Sequence, residues 1–307
     1  MRVEPARRAG ALGKLPRQAD FVRLNAGSAP ALLLHRWLEA AVEEGPRSIT
    51  PPTSPARFLF TVPGQETALV GALAPSRDSV GRAFPLALFT EEHAGFLAQH
   101  LASVPTAFEP FLAAAEALLA GAGELGPDAL ADRMRALPEP ADLPSLDRWR
   151  RRALVERRGA ELLSPLSSGA PAEARYYAVS TFLTGCAAEQ HQEQAPLRII
   201  LECPLSAELG PLPWLELAAR RLRWRHTPPA LLWTLGDPAR LWLGLGAAVP
   251  ALLAPWLRPG ASRNVWPLST SRPQALAQAR NALSASQRSL IDSPAASLED
   301  LLDALAP

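Results

Sequence analysis

Lys14 is the only lysine among 307 residues, and the other 30 of the 31 basic side chains are arginine. In so arginine-biased a chain, a lone lysine is either a leftover of composition or a place where a compact ammonium does what a planar guanidinium cannot. It lies in Gly10-Ala11-Leu12-Gly13-Lys14-Leu15, which shares the glycine-lysine pair of the phosphate-binding pattern G-x-x-x-x-G-K-[ST]. The earlier glycine is missing, and Leu15 stands where a hydroxyl would hold Mg²⁺, so nucleotide hydrolysis has little support.

Other catalytic patterns fare no better. No G-x-S-x-G elbow is present, and Gly244-Leu245-Gly246 is only a fragment of a dinucleotide fingerprint. His35, His93, His100 and His226 are scattered and read as surface or cap residues, since no orienting partner marks a general base. Cys186 and Cys203 read as small buried hydrophobes in a reducing compartment, and His191 alone does not complete a zinc site with Cys186. No catalytic residues, metal or cofactor are expected.

Two segments place charges beside apolar residues at turns. One is residues 13–16 with Asp20-Phe21-Val22. The other is residues 75–86, where Asp78 can accept from the backbone two residues on and Gly81 permits a sharp reversal before Arg82. Lys14 or Arg82 pairing with Asp20 or Asp78 would pin the N-terminal segment against a sheet. Alternatively, the turn is a surface loop that docks a partner. Asp142 and Asp147 read as helix-end electrostatics. Arg148, Trp149 and Arg150 to Arg152, with the run from Arg220 to Arg225 around Trp224, interleave basic and aromatic residues. They read as solvated helical faces with Trp buried and Arg outward, in preference to a nucleic-acid surface.

The elements that must carry these residues follow from periodicity. Residues 1–28 read as mostly irregular. A helix is expected at 30–44, with Leu34, Trp37, Leu38 and Ala41 on one face, then a Pro/Ser/Thr loop at 46–55. Strands are expected at 57–62, 67–74 and 84–89, paired antiparallel because the turns between them are short. Helices follow at 92–101, 107–119, 128–137 and 145–158, with Pro-rich joints at 137–145 and 164–171. A helix at 172–190, a strand at 197–203, a helix at 214–224, a hairpin at 230–245 and short helices near 250–257, 273–283 and 297–305 complete the pattern. The fold class is α/β, with a mixed or largely antiparallel sheet flanked by helices and a helical middle region. Three regions emerge: 1–137, a basic, Pro-rich connector at 138–171, and 172–307, which either stands apart or completes the same sheet.

Composition limits the partners. Thirty-one basic residues against 30 acidic leave a formal charge of +1, which gives no bulk attraction to nucleic acid or anionic lipid. Pro and Gly make up about 17% of the chain, above average but below the roughly 25–30% of low-complexity sequence. The first residues lack the apolar run of a signal peptide, and the apolar stretch 241–257 is broken by glycines and prolines. A cytoplasmic protein with no membrane insertion is expected.

In the order and spacing of four segments the chain resembles the TagF (also called ImpM) family, accessory proteins of bacterial type VI secretion systems. These are Gly13 to Pro16 as G-K-L-P, Asp20 to Val22 within G-D-F-V, Trp37-Leu38 in a helix, and Pro75 to Leu86 as P-S-x-D-x-V-G-R-x-F-P-L. The resemblance covers roughly residues 9–120. Ala19 departs from the family's glycine before the aspartate, adding a Cβ that restricts positive φ. Residues 228–236 are similar to an aromatic strand and turn in the family's C-terminal part. The resemblance implies a cytoplasmic, non-enzymatic, post-translational repressor that binds the forkhead-associated (FHA) scaffold protein of the same system. Lys14, Asp20, Asp78 and Arg82 are its candidate binding residues. The alternatives are a structural part of the baseplate or membrane assembly, or an enzyme or small-molecule binder using those four side chains.

Overall fold

The computed structural model describes residues 9–43, 52, 54–166, 171–190, 199–246, 250–258 and 264–306. The expected loop at 46–55 falls largely outside these residues, as do His191 and much of the joint at 164–171. The described residues build one nine-stranded sheet. Its strands are β1 (Gly10–Lys14), β2 (Phe21–Leu24), β3 (Ala56–Phe60), β4 (Thr67–Ala74) and β5 (Leu86–His93). β6 (Ile199–Pro204), β7 (Leu231–Thr234), β8 (Arg240–Leu245) and β9 (Val265–Pro267) complete it.

The strand order is β2-β1-β5-β4-β3-β7-β8-β6-β9. Every pairing is antiparallel except β6 with β9. β3 pairs with β4 on one side and with β7 on the other, so the two halves of the chain share a single sheet. This is the expected α/β class, with a mixed, mainly antiparallel sheet.

Helices cover both faces, which is why the strands read as nearly continuous apolar runs. Alternation still sorts the side chains. In β3, Phe58 and Phe60 join Leu34, Trp37 and Leu38 of the helix Ala29–Glu43, with Trp256 on the same face. Leu59, Val70, Leu88 and Trp233 point the other way. There they meet the helices Glu109–Ala120, Glu173–Gln190 and Leu212–Leu222 through residues such as Leu112, Phe182 and Trp214.

Two expectations are corrected. Residues 10–14 and 21–24 are strands, not irregular chain. Glycines hide the alternation in β1, yet they allow its close approach: a Cβ on Gly13 would lie 2.1 Å from the Pro85 carbonyl oxygen, and its φ of 133° suits glycine. The third strand begins at Leu86 rather than 84, because Pro85 has no N–H for the ladder and the Phe84 N–H closes the preceding loop on Ser76 O. The helix Ala285–Asp292 was not expected, although a Ser284/Gln287 capping box starts it; its buried stripe is reduced to Ile291.

Candidate functional site

Lys14 ends β1 at the sheet surface, where the turn at residues 76–82 folds over it. Its Nζ lies 2.5 Å from Asp78 Oδ2, with the lysine side chain 6% and the aspartate side chain 0% exposed. Arg82 Nε donates to the same oxygen at 2.7 Å, and the backbone N–H groups of Val80 and Arg82 donate to Oδ1 at 3.1 and 2.8 Å. Burial opposes ionisation of Asp78, but the donations from Lys14 and Arg82 outweigh it and hold the carboxyl well below the usual carboxylate range. A carboxylate with this many donors fixes both the turn and its neighbours.

The turn is tied to the N-terminal segment at further points. Ser76 Oγ donates to Lys14 O at 2.7 Å, Ser79 N to Gln18 O at 2.9 Å, and an Arg82 terminal nitrogen to Ala19 O. Ala19 does not adopt positive φ, so its departure from glycine leaves the turn unstrained. Phe21 lies edge-on to Phe84 and to His35, at centroid distances of 4.8 and 5.1 Å, and Lys14 Nζ sits 5.4 Å from the Phe21 ring. The fold thus brings Lys14, Asp78 and Arg82 together. Asp20 is exposed and forms no ion pair among the described residues.

His35, expected at the surface or in a cap, is instead buried within its helix. Its Nε2 lies 3.0 Å from an Arg23 nitrogen and 3.1 Å from Glu39 Oε1. Burial pushes its pKa down, Glu39 opposes that, and Arg23 adds to it, with the net shift downward. His93 does cap a helix, accepting from Phe96 N.

A second ionic knot has no counterpart in the sequence reading. Arg57, the second residue of β3, forms two carboxylate forks. Its Nε and one terminal nitrogen reach Glu116 at 2.9 and 2.8 Å, and its terminal nitrogens reach Glu109 at 2.5 and 3.1 Å. The signal was available: an arginine inside an apolar strand, and two glutamates seven residues apart on one helix face. Much of the basic character around Arg150 and Arg220 is also neutralised. Glu216 accepts from both, and Arg220 also reaches Glu299 and Asp303. Trp149, however, is exposed rather than buried.

Both cysteines are buried, and burial pushes the Cys186 thiol up to about 12. Among the described residues, no three His, Cys, Asp or Glu side chains gather as metal ligands, and no helix is long and apolar enough to cross a membrane. Lys14 and Asp78 satisfy each other and do not face solvent as separate anion and acid sites. What the knot presents outward is a braced turn with Val80 64% exposed at its tip and Phe21 37% exposed beside it. An open cavity of about 410 Å³ adjoins the turn, lined by Pro16, Pro75, Arg77, Leu86 and Leu119 among others.

Residues 10–137 match the family model described as TagF N-terminal domain, type VI secretion system-associated. Among solved structures, the chain is similar to PA0076 from Pseudomonas aeruginosa PAO1, determined at 2.05 Å. The two are 27% identical with a TM-score of 0.35, over 43% of this chain and 63% of that one. The chain therefore spans less than two thirds of the length of that relative. No curated protein matches it.

Proposed function

We propose, from the match of residues 10–137 to the TagF N-terminal domain model, that this is a type VI secretion-associated protein and a post-translational repressor of secretion. It acts in the cytoplasm, by stoichiometric binding to the FHA-domain scaffold protein and without chemistry of its own. The observation that carries this reading is the use made of the charged signature residues. Lys14, Asp78 and Arg82 are spent on bracing a surface turn, and that turn offers Val80 to a partner. A braced turn binds with less loss of conformational freedom than a mobile loop would.

Deleting the gene should raise secretion of the tube protein under non-inducing conditions, and the purified chain should capture the FHA scaffold. Val80→Glu should lose that capture with an unchanged melting temperature, because the side chain is exposed. Unchanged secretion together with no capture overturns the reading. Copurification with assembled particles at fixed stoichiometry would favour a structural component instead.

A further inference from the structure

The helix Asp147–Glu156 lies outside the matched domain and carries two of the exposed large apolar side chains, Trp149 at 43% and Val155 at 63%. Its buried anchor is Leu154, so Trp149 is left on the solvent side. Arg148, Arg151, Arg152 and Val155 fall at i, i+3, i+4 and i+7, a single stripe beside the Trp149 ring. Arg152 is paired with Glu156 at 2.8 Å, but Arg148 and Arg151 form no ion pair among the described residues. Below Trp149 a cavity of about 290 Å³ opens between Ala153 and the apolar Leu209 and Leu212, with Glu156 and Glu208 also lining it.

We propose that this helix face docks an acidic protein segment, whose carboxylates meet Arg148 and Arg151 while one bulky apolar side chain enters the cavity below Trp149. Charge complementarity selects the occupant: the stripe holds unneutralised guanidinium groups beside an uncovered aromatic ring. Trp and Arg are the residues most often found to carry interface energy. The cavity is at the lower limit of small-molecule clefts, roughly 300 Å³, which suits a side chain rather than a cofactor. Glu156 and Glu208 at its rim repel any anion, so the segment's carboxylates are confined to Arg148 and Arg151 and only its uncharged apolar side chain enters the cavity. Two free cations are too few for the phosphate contacts that sustain nucleic-acid binding. The inference does not depend on the repressor reading, because it concerns residues outside 10–137.

The test uses the full chain and a fluorescent Asp/Glu-rich peptide with one central Phe, read by anisotropy. The peptide should bind with a Kd below about 100 µM, and changing its Phe to Ala should weaken binding about tenfold. Trp149→Ala should have the same effect, as should the double change Arg148→Glu, Arg151→Glu. Trp149→Phe should restore most of the affinity, and added salt should weaken it. Melting temperatures confirm that the variants are folded. The double charge reversal carries the test alone if Trp149→Ala is not. No peptide binding overturns the proposal, as does equal binding by folded variants. So does preferential, variant-sensitive binding to phosphatidylglycerol vesicles or duplex DNA.

Discussion

Asp78 is the residue on which most of the site converges, and its chemistry predicts how stability responds to acid. Its folded pKa is depressed, so its contribution is fully present above the unfolded value of about 3.9 and is lost as pH falls toward the folded one. His35 is also lowered, by burial first. Its neutral form is favoured in the fold, so stability is full above about 6.5 and declines as pH drops below that. Chemical denaturation across pH should therefore show two acid limbs. Asp78→Asn should flatten the lower limb, and His35→Gln the upper. Lys14→Met should lower the melting temperature by leaving Asp78 without its nearest cation, and Lys14→Arg should not restore it, because the site was closed around a compact ammonium. Glu116→Ala should cost about 2 kcal/mol by leaving the buried Arg57 fork half-paired, and Glu109→Ala less, since Glu109 is half-exposed. Lys14 was legible as a compositional outlier, and Asp78 with Arg82 as turn chemistry. Asp20 was a reasonable partner on spacing alone. Only the path of residues 15–19, which carries it to solvent, excludes it.

At the scale of elements, periodicity was legible wherever a face was plainly apolar. The helix Ala29–Glu43 and the hairpin of β3 and β4 fall within one or two residues of expectation. β1 was illegible because its glycines remove the alternating pattern, and β2 because four residues of mixed exposure carry too little signal. The glycines that hide β1 are themselves a requirement of the packing. Gly13→Ala should destabilise the fold by about 3 kcal/mol, combining an unfavourable φ with the clash against Pro85 O, as measured by urea denaturation. Gly64→Ala, where a Cβ would meet open space, isolates the backbone contribution, because φ there is also positive, at 81°.

On the scale of the whole molecule, the β3–β7 pairing decides what is separable. Arg57, Phe58 and Leu59 face Trp233, Leu232 and Leu231, so a chain cut after residue 137 would turn β3 into an uncovered edge. Such a truncation should aggregate, or melt well below the full chain, when compared by size-exclusion chromatography and thermal unfolding. Independent, equally stable folding of 1–137 would contradict this. No local pattern could announce the pairing, because neither strand's periodicity names its neighbour. The same junction also sets a clock for biosynthesis. Leu59 must wait for Leu231, and at about 5–20 residues per second that interval is roughly 10–35 s. Throughout it the nascent chain carries an open, apolar sheet border on the ribosome. Chaperone contact during synthesis should therefore concentrate at β3 and end abruptly once β7 has emerged.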